Sequence, residues 1–333
     1  MASDLLQWLA DLFLQPQYFP VSGVREYILL PALVALVVST FTSMAGVSGA
    51  FLLLPFQFSV LGFKGVNLSP TNLVYNIVAI PSGVYRYMRE GRMNWPVTYV
   101  TIVGTLPGLY FGALLREGVL RYEYNFMLFV GGVLFYIGAR LLYDQTHWAR
   151  RKKAKIQEFE AHVQERLKKV LQAAGHTTGK GLPPEARVRT VSLGLRHISY
   201  EFLGETFTFN VPALFILALV VGLIGGAYGI GGGAIIAPFL AAIFGLPIFT
   251  IAGAALFGTF VTSVAGVAIY YWRGYPPDWA LGALFGVGGF MGMYIGARLQ
   301  KFISGKVIRI GLGFVIAGLA LNYLIRACRH LLF

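Results

Sequence analysis

The chain is 333 residues long, 56% hydrophobic and only 12% charged, about half the charged share of a soluble domain. Twenty of its 41 charged residues fall between residues 140 and 205, so the remainder holds long runs that lipid accepts and water does not, which excludes a soluble fold. The formal net charge of +13 calls for no nucleic-acid partner. Its basic residues sit at span ends and in one central segment, where anionic headgroups and the positive-inside rule put them. The lone Cys328 excludes an internal disulfide and a thiolate metal site.

Residues 1–26 read as an interfacial tail, with an amphipathic piece at 5–14. No charged start with a small-residue cleavage site precedes the first apolar run, so that run is expected to direct insertion itself. Residues 27–61 are apolar apart from an interruption at Gly46, Ser48 and Gly49, a length that fits two short antiparallel helices. A further segment over 70–88 begins at SPTN, with Ser69 as cap and Pro70 in the first turn, and ends near Arg86 and Arg89. Spans at 96–115 and 122–143 complete the first membrane unit, 27–143. Residues 144–206 differ. A charged helical pattern at 150–171, a Gly/Pro linker at 173–185 and an amphipathic or extended lead-in at 197–210 form a basic insert expected in the cytoplasm. The second membrane unit, 207–333, repeats the plan with segments at 211–228, 231–245, 250–271, 279–298 and 307–326.

The repetition is visible residue by residue. GVSGAFLLLPF (46–56) matches GIGGGAIIAPF (229–239) at an offset of 183, with a proline nine residues after each first glycine. Gly83, Tyr87 and Gly91 match Gly266, Tyr270 and Gly274 at the same offset, and GLYFGALL (108–115) matches GMYIGARL (292–299) at 184. Such a period is far too long for a solenoid and is what a duplicated membrane unit leaves behind. Five apolar segments per unit, an odd number, turn the second copy over in the bilayer. The charges agree: Arg86, Arg89 and Arg92 crowd one loop of the first copy, whereas Arg298, Lys301, Lys306 and Arg309 crowd a different loop of the second. The expected fold is therefore all-α and polytopic, two inverted repeats with a broken or re-entrant element in each and eight to ten membrane segments in total. Both termini are expected outside.

Non-helical backbone at membrane depth is tolerated only where protein or a water-filled cavity satisfies it. The two glycine clusters are such places, and each opens a new helix whose first N–H groups and positive dipole end suit a small anion. Close helix packing is the alternative reading of the same glycines. Candidate substrate-binding residues are Ser48, Gly49, Gly231, Gly232 and Gly233 at the breaks, with Asn72, Asn76, Thr259 and Ser263 on the neighbouring segments. Asn76 and Thr259 occupy matching repeat positions. Hydroxyls and amides donate to oxyanions without stranding charge in lipid, although each also serves for back-bonding or helix joining. Arg86 is the candidate for drawing an anion into the inner vestibule.

No Asp, Glu or His falls in the middle of a span; His147, His162, His176, His197 and His330 lie in the central segment or the tail. A carrier that relays protons through a membrane carboxylate would need one. No Gly-Lys-Ser/Thr phosphate loop, HExxH or catalytic pair is present, so neither an enzyme nor a cofactor is expected. The expected partners are a small anion and membrane lipid, and a homodimer is compatible with the pattern.

The duplicated GVSGAFLLLPF and GIGGGAIIAPF, together with PGLYFGALLR (107–116), resemble the TauE/SafE sulfite exporter family, also called the toluene sulfonate uptake permease family. The likeness covers roughly 28–143 and 211–326 but not the insert. It implies a multi-pass carrier in a bacterial or archaeal inner membrane for sulfite, thiosulfate or sulfonates such as sulfoacetate. Substrate and direction stay open. A carboxylate or other organic-anion carrier and a channel-like anion pore are the alternatives, with a non-transporting scaffold behind them.

Overall fold

The computed structural model describes residues 15–45, 48–89, 91, 93–144, 146, 165, 187–299 and 305–332. Eleven α-helices lie among them: α1 (Leu29–Ala45), α2 (Ala50–Ser59), α3 (Leu68–Ala79), α4 (Pro81–Arg89), α5 (Trp95–Glu117), α6 (Glu123–Tyr143), α7 (Val211–Tyr228), α8 (Gly233–Phe244), α9 (Ile248–Trp272), α10 (Trp279–Leu299) and α11 (Gly305–Leu332). Six of them, α5, α6, α7, α9, α10 and α11, are long and apolar enough to cross a membrane, while α1 and α2 are shorter apolar helices. The all-α polytopic membrane fold expected from composition is the fold found.

Two glycine seams hold the bundle. In α5 a Cβ at Gly108 or Gly112 would overlap the carbonyls of Leu219 and Leu223 on α7, and one at Gly222 would overlap Thr105 O in return. In α10 a Cβ at Gly288, Gly292 or Gly296 would overlap the carbonyls of Ala32, Leu36 and Thr40 on α1. Contacts advance together along both helices of each seam, so α5 runs parallel to α7 and α10 parallel to α1. GLYFG and GMYIG are thus seam sequences: only the missing side chain lets two backbones come so close. Each seam joins a helix of the first unit to a helix of the second. The last helices of the units, α6 and α11, pack antiparallel, with Gly131 against Tyr323 and Leu324, and Gly138 against Ile316 and Ala317.

Two local readings are corrected. The segment over 70–88 is two helices, not one. Pro81 has no N–H to donate back, and α3 ends at Ala79 before α4 restarts from the proline. Nor does Ser69 cap α3, which begins a residue earlier at Leu68. The Ser69 hydroxyl instead donates to Ala227 O at 3.1 Å, at the end of α7.

A small sheet precedes each broken element. The hairpin of β1 (Gln17–Phe19) and β2 (Val24–Glu26) leads into α1 and buries Phe19 and Val24 in the main core. The lead-in at 197–210 is extended. It forms β4 (His197–Phe202) and β5 (Glu205–Asn210), which with β3 (Arg189–Leu193) make an antiparallel sheet ahead of α7. Ile198, Tyr200, Phe202 and Phe209 of that sheet pack into a second core with Leu214 of α7, Leu240 of α8 and Ile251 of α9. The amphipathic piece at 5–14, Gly46, Glu90, Arg92, Lys301, the linker and (residue 165 apart) the charged helical pattern lie outside the described residues.

Candidate functional site

Both breaks fall at matching repeat positions. α1 stops at Ala45 and α7 at Tyr228, and the helices resume at Ala50 and Gly233, each pair 183 apart. The second turn is made by left-handed glycines, Gly229 at φ +84° and Gly231 at φ +74°, conformations that a side chain disfavours. At the residue just before each restart the two agree, since Gly49 at φ −65°, ψ −25° and its counterpart Gly232 at φ −64°, ψ −36° are both right-handed. Neither new helix has a side-chain cap at its N-cap residue.

Proline nine residues into each motif now has a visible consequence. Pro55 cannot donate to Phe51 O, and the freed carbonyl accepts the Tyr228 hydroxyl at 2.8 Å. The residue that ends α7 at the second break therefore closes a gap in the helix that follows the first.

Helix α3 stitches the breaks together. Asn72 Nδ2 donates to Ala50 O and to Gly229 O, both at 2.9 Å, and Asn72 Oδ1 accepts Gln57 Nε2 at 3.1 Å. One turn on, Asn76 Nδ2 donates to Ile230 O at 2.9 Å and Ser263 Oγ at 3.2 Å. Each bonded carbonyl requires the NH2 edge, which fixes both amide orientations. Two buried oxygens, Gln57 Oε1 and Asn76 Oδ1, are left without a partner. Asn72, Asn76, Gln57, Thr262 and Ser263 have no exposed surface at all, so the cluster is closed to solvent in this conformation.

The sequence-derived candidates are placed as follows. Ser48 Oγ accepts Ala50 N at 3.3 Å, within its own turn. Gly49 sits where a Cβ would come within 2.7 Å of Tyr75 Oη and 2.8 Å of Ser39 Oγ, two hydroxyls bonded to each other. Gly231 faces Ser263 and Thr259 in the same way, and Gly232 N donates to Thr262 Oγ1 at 3.3 Å. Gly233 opens α8. Thr259, by contrast, turns its hydroxyl back to Ala255 O of its own helix at 2.8 Å. Arg86 lies on α4, but its side chain is outside the described residues.

Sequence reasoning missed three residues at the breaks: Tyr75, Ser39 and Tyr228. Two of them adjoin a feature already singled out, since Tyr75 precedes Asn76 and Tyr228 precedes the glycines. Arg116, the last residue of PGLYFGALLR, was not among the candidates either. Arg116 is 1% exposed, its guanidinium bonded to Ser69 Oγ, Leu120 O and Gly65 O and lying 3.8 Å from the Phe126 ring centre. Ser69 links it to the end of α7, so a cation is buried two hydrogen bonds from the helix that runs into the second break.

A family model described as sulfite exporter TauE/SafE matches residues 31–323. No curated protein and no solved structure matches the chain. The family match runs without interruption through both breaks, both glycine seams and the proline carbonyls. The chain belongs to the TauE/SafE sulfite exporter family.

Proposed function

We propose that the chain is a secondary carrier of small sulfur oxyanions or sulfonates such as sulfite, thiosulfate or sulfoacetate. In this reading its two units are inverted repeats in a cytoplasmic membrane, both termini lie outside and residues 144–206 lie inside. The substrate meets the start of α2 and the start of α8, where unspent N–H groups and aligned dipoles offer positive potential with no counter-charge to strip away. The observation that carries this reading is Asn72, whose one NH2 group bonds carbonyls at both breaks and so ties two uncapped helix starts to one place. Ser48, Gly49, Asn76, Gly231, Gly232, Gly233, Thr262 and Ser263 surround it; Thr259 shapes the wall more than it donates. Arg86 belongs to the inner approach.

The cluster is closed, so transport requires a movement that opens it to each side in turn. The glycine seams argue that the moving bodies are helix pairs drawn from both units, because sliding one unit past the other would break backbone contacts along two whole helices. Carboxylates remain the second reading, since amide and hydroxyl donors do not separate a sulfonate from a carboxylate.

The deciding measurement is flux and counterflow in liposomes for sulfite, thiosulfate, sulfoacetate and a carboxylate of matching size. Saturable counterflow of at least one sulfur anion, in preference to the carboxylate, is expected. Flux that never saturates would make the protein a pore, and preference for the carboxylate would move it to the second reading. Sulfite titrates near neutrality and a sulfonate does not, so at fixed membrane potential sulfite flux should respond far more strongly to pH.

A further inference from the structure

The two re-entrant helices are held from behind by one symmetric device. Arg140 on α6 and Tyr323 on α11 are 183 residues apart, the same offset that relates Pro55 of α2 to Pro238 of α8. Tyr323 Oη donates to Pro55 O at 3.2 Å, and the Ser59 hydroxyl lies 2.6 Å from the same phenol. Arg140 Nη2 donates to Pro238 O at 3.3 Å. The guanidinium also lies 5.0 Å from the centre of the Phe239 ring, on which Tyr136 stacks at an interplanar angle of 2°, while Arg140 Nη1 donates to the Tyr136 hydroxyl at 3.0 Å.

The holds are crossed. The last helix of the second unit grips the broken element of the first, and the last helix of the first unit grips that of the second. Proline is the reason a side chain can reach these carbonyls. It removes one rung of the helical ladder and opens the helix there, so nearby carbonyls tilt outward to a second donor. On α2 the arrangement has two steps, with Tyr228 on Phe51 O and Tyr323 on Pro55 O one turn later. Because α6 and α11 pack on each other, the same pair of helices stands behind both re-entrant elements.

We infer that α6 and α11 form a common brace, with Arg140 and Tyr323 as positioning residues that set where the starts of α8 and α2 stand. The brace exists whatever the cargo; its importance for transport rests on the function proposed above. The two grips differ. Tyr323 holds through a neutral phenol that also bonds Ser59, whereas Arg140 holds through a cation whose Nε is buried without a partner.

The test is hydrogen exchange on the purified full-length protein, read over residues 50–59 and 233–244. Tyr323→Phe should speed exchange in 50–59 about fivefold, the equivalent of one neutral hydrogen bond, and leave 233–244 unchanged. Arg140→Met should do the reverse, and Arg140→Lys should recover part of the protection. Ser59→Ala, which leaves the phenol in place but unsupported, gives a milder form of the first result should Tyr323→Phe fail to fold. With Tyr323→Phe or Arg140→Met, exchange that changes only in the substituted helix, α11 or α6, or equally in α2 and α8, would overturn the crossed brace. Sulfite flux into vesicles is the second arm, with turnover expected to fall at least threefold in both variants and half-saturation to change little. A crossed exchange pattern in a protein that moves no sulfite would uphold the brace and remove sulfite as cargo, so the two readings fail separately.

Discussion

The two breaks differ, at Gly229 and Gly49, in what stands beside the backbone. The second passes through two left-handed glycines and packs against main chain: a Cβ at Gly229 would come within 2.5 Å of Ser69 O and 2.6 Å of Ser69 Cα. The approach of Gly49, in the first break, is to the ends of two side chains, the hydroxyls of Tyr75 and Ser39. Backbone cannot move aside and hydroxyls can. Of these two glycines Gly229 is therefore the more rigidly walled, and Gly49 is the one with room to adjust.

The largest expected effect breaks that comparison directly. Gly229→Ala adds both a forbidden left-handed side chain and a collision with main chain, and should lower stability by about 3 kcal/mol or more. Gly49→Ala, which displaces hydroxyls, should fall nearer about 1 kcal/mol. Thermal melts followed by size exclusion would measure both, and equal losses would mean that the two breaks are equally rigid.

Next comes Asn72→Leu. Gly229 O and the Gln57 Nε2 that Asn72 Oδ1 accepts lose their partner, at about 1–3 kcal/mol for each group, while Ala50 O keeps its bond within α2, so this variant should melt below Asn76→Leu, which strands Ile230 O but touches only the second break. A Tyr228→Phe variant leaves only Phe51 O without its donor and should lose about 1–2 kcal/mol. Thr259→Val should leave anion binding nearly unchanged, since its hydroxyl is spent on its own helix; a large loss of affinity would show that the threonine rotates when substrate binds.

A smaller contrast lies at the helix caps. Asn94 Oδ1 accepts Val97 N at the start of α5, and 184 residues later Asp278 Oδ1 accepts Leu281 N at the start of α10. Asp278 also takes Ser22 N and Ser22 Oγ on its other oxygen, tying down the first hairpin. An amide serves the cap in one unit, so Asp278→Asn should retain sulfonate transport and most of the stability, within about 1 kcal/mol. Loss of stoichiometric proton movement in that variant alone would identify Asp278 as a relay. The smallest effect concerns pH. Burial pushes the Tyr200 hydroxyl above its ordinary value, so the folded form holds its proton where the unfolded chain has released it. Stability contributed by this group is intact below about pH 10 and falls as pH rises past it, a loss that Tyr200→Phe should abolish in alkaline melts.

Much of this was legible because it is periodic or compositional. The ends of α7 at 211 and 228 and the spans of the second unit follow from apolar length alone, and the repeat offset located both breaks, with the second restart at 233 rather than 231. Ser69 was misread because a serine before a proline looks like a cap, and the division at Pro81 was passed over because the segment stays largely apolar on both sides of it. Which hydroxyl closes which carbonyl depends on tertiary neighbours. Tyr228 acting on Phe51 O, 177 residues away, has no local signature. Arg116 was missed for a similar reason: charge near a span end reads as flank, and only packing showed the guanidinium turned inward.

The seam between α1 and α10 also has a meaning for biogenesis. α1 is the first of the described helices to leave the ribosome, yet the backbone it fits, from Gly288 to Gly296, is made about 250 residues later, and loop closure across such a separation is slow. Until then Ser39 has Tyr75 of α3 to bond, but the backbone against which the face of Thr40 and Ser43 packs does not yet exist. A nascent chain stopped before residue 279 would present that unmatched face to quality control. For this protein the last sixth of translation decides whether the first helix ever finds its place.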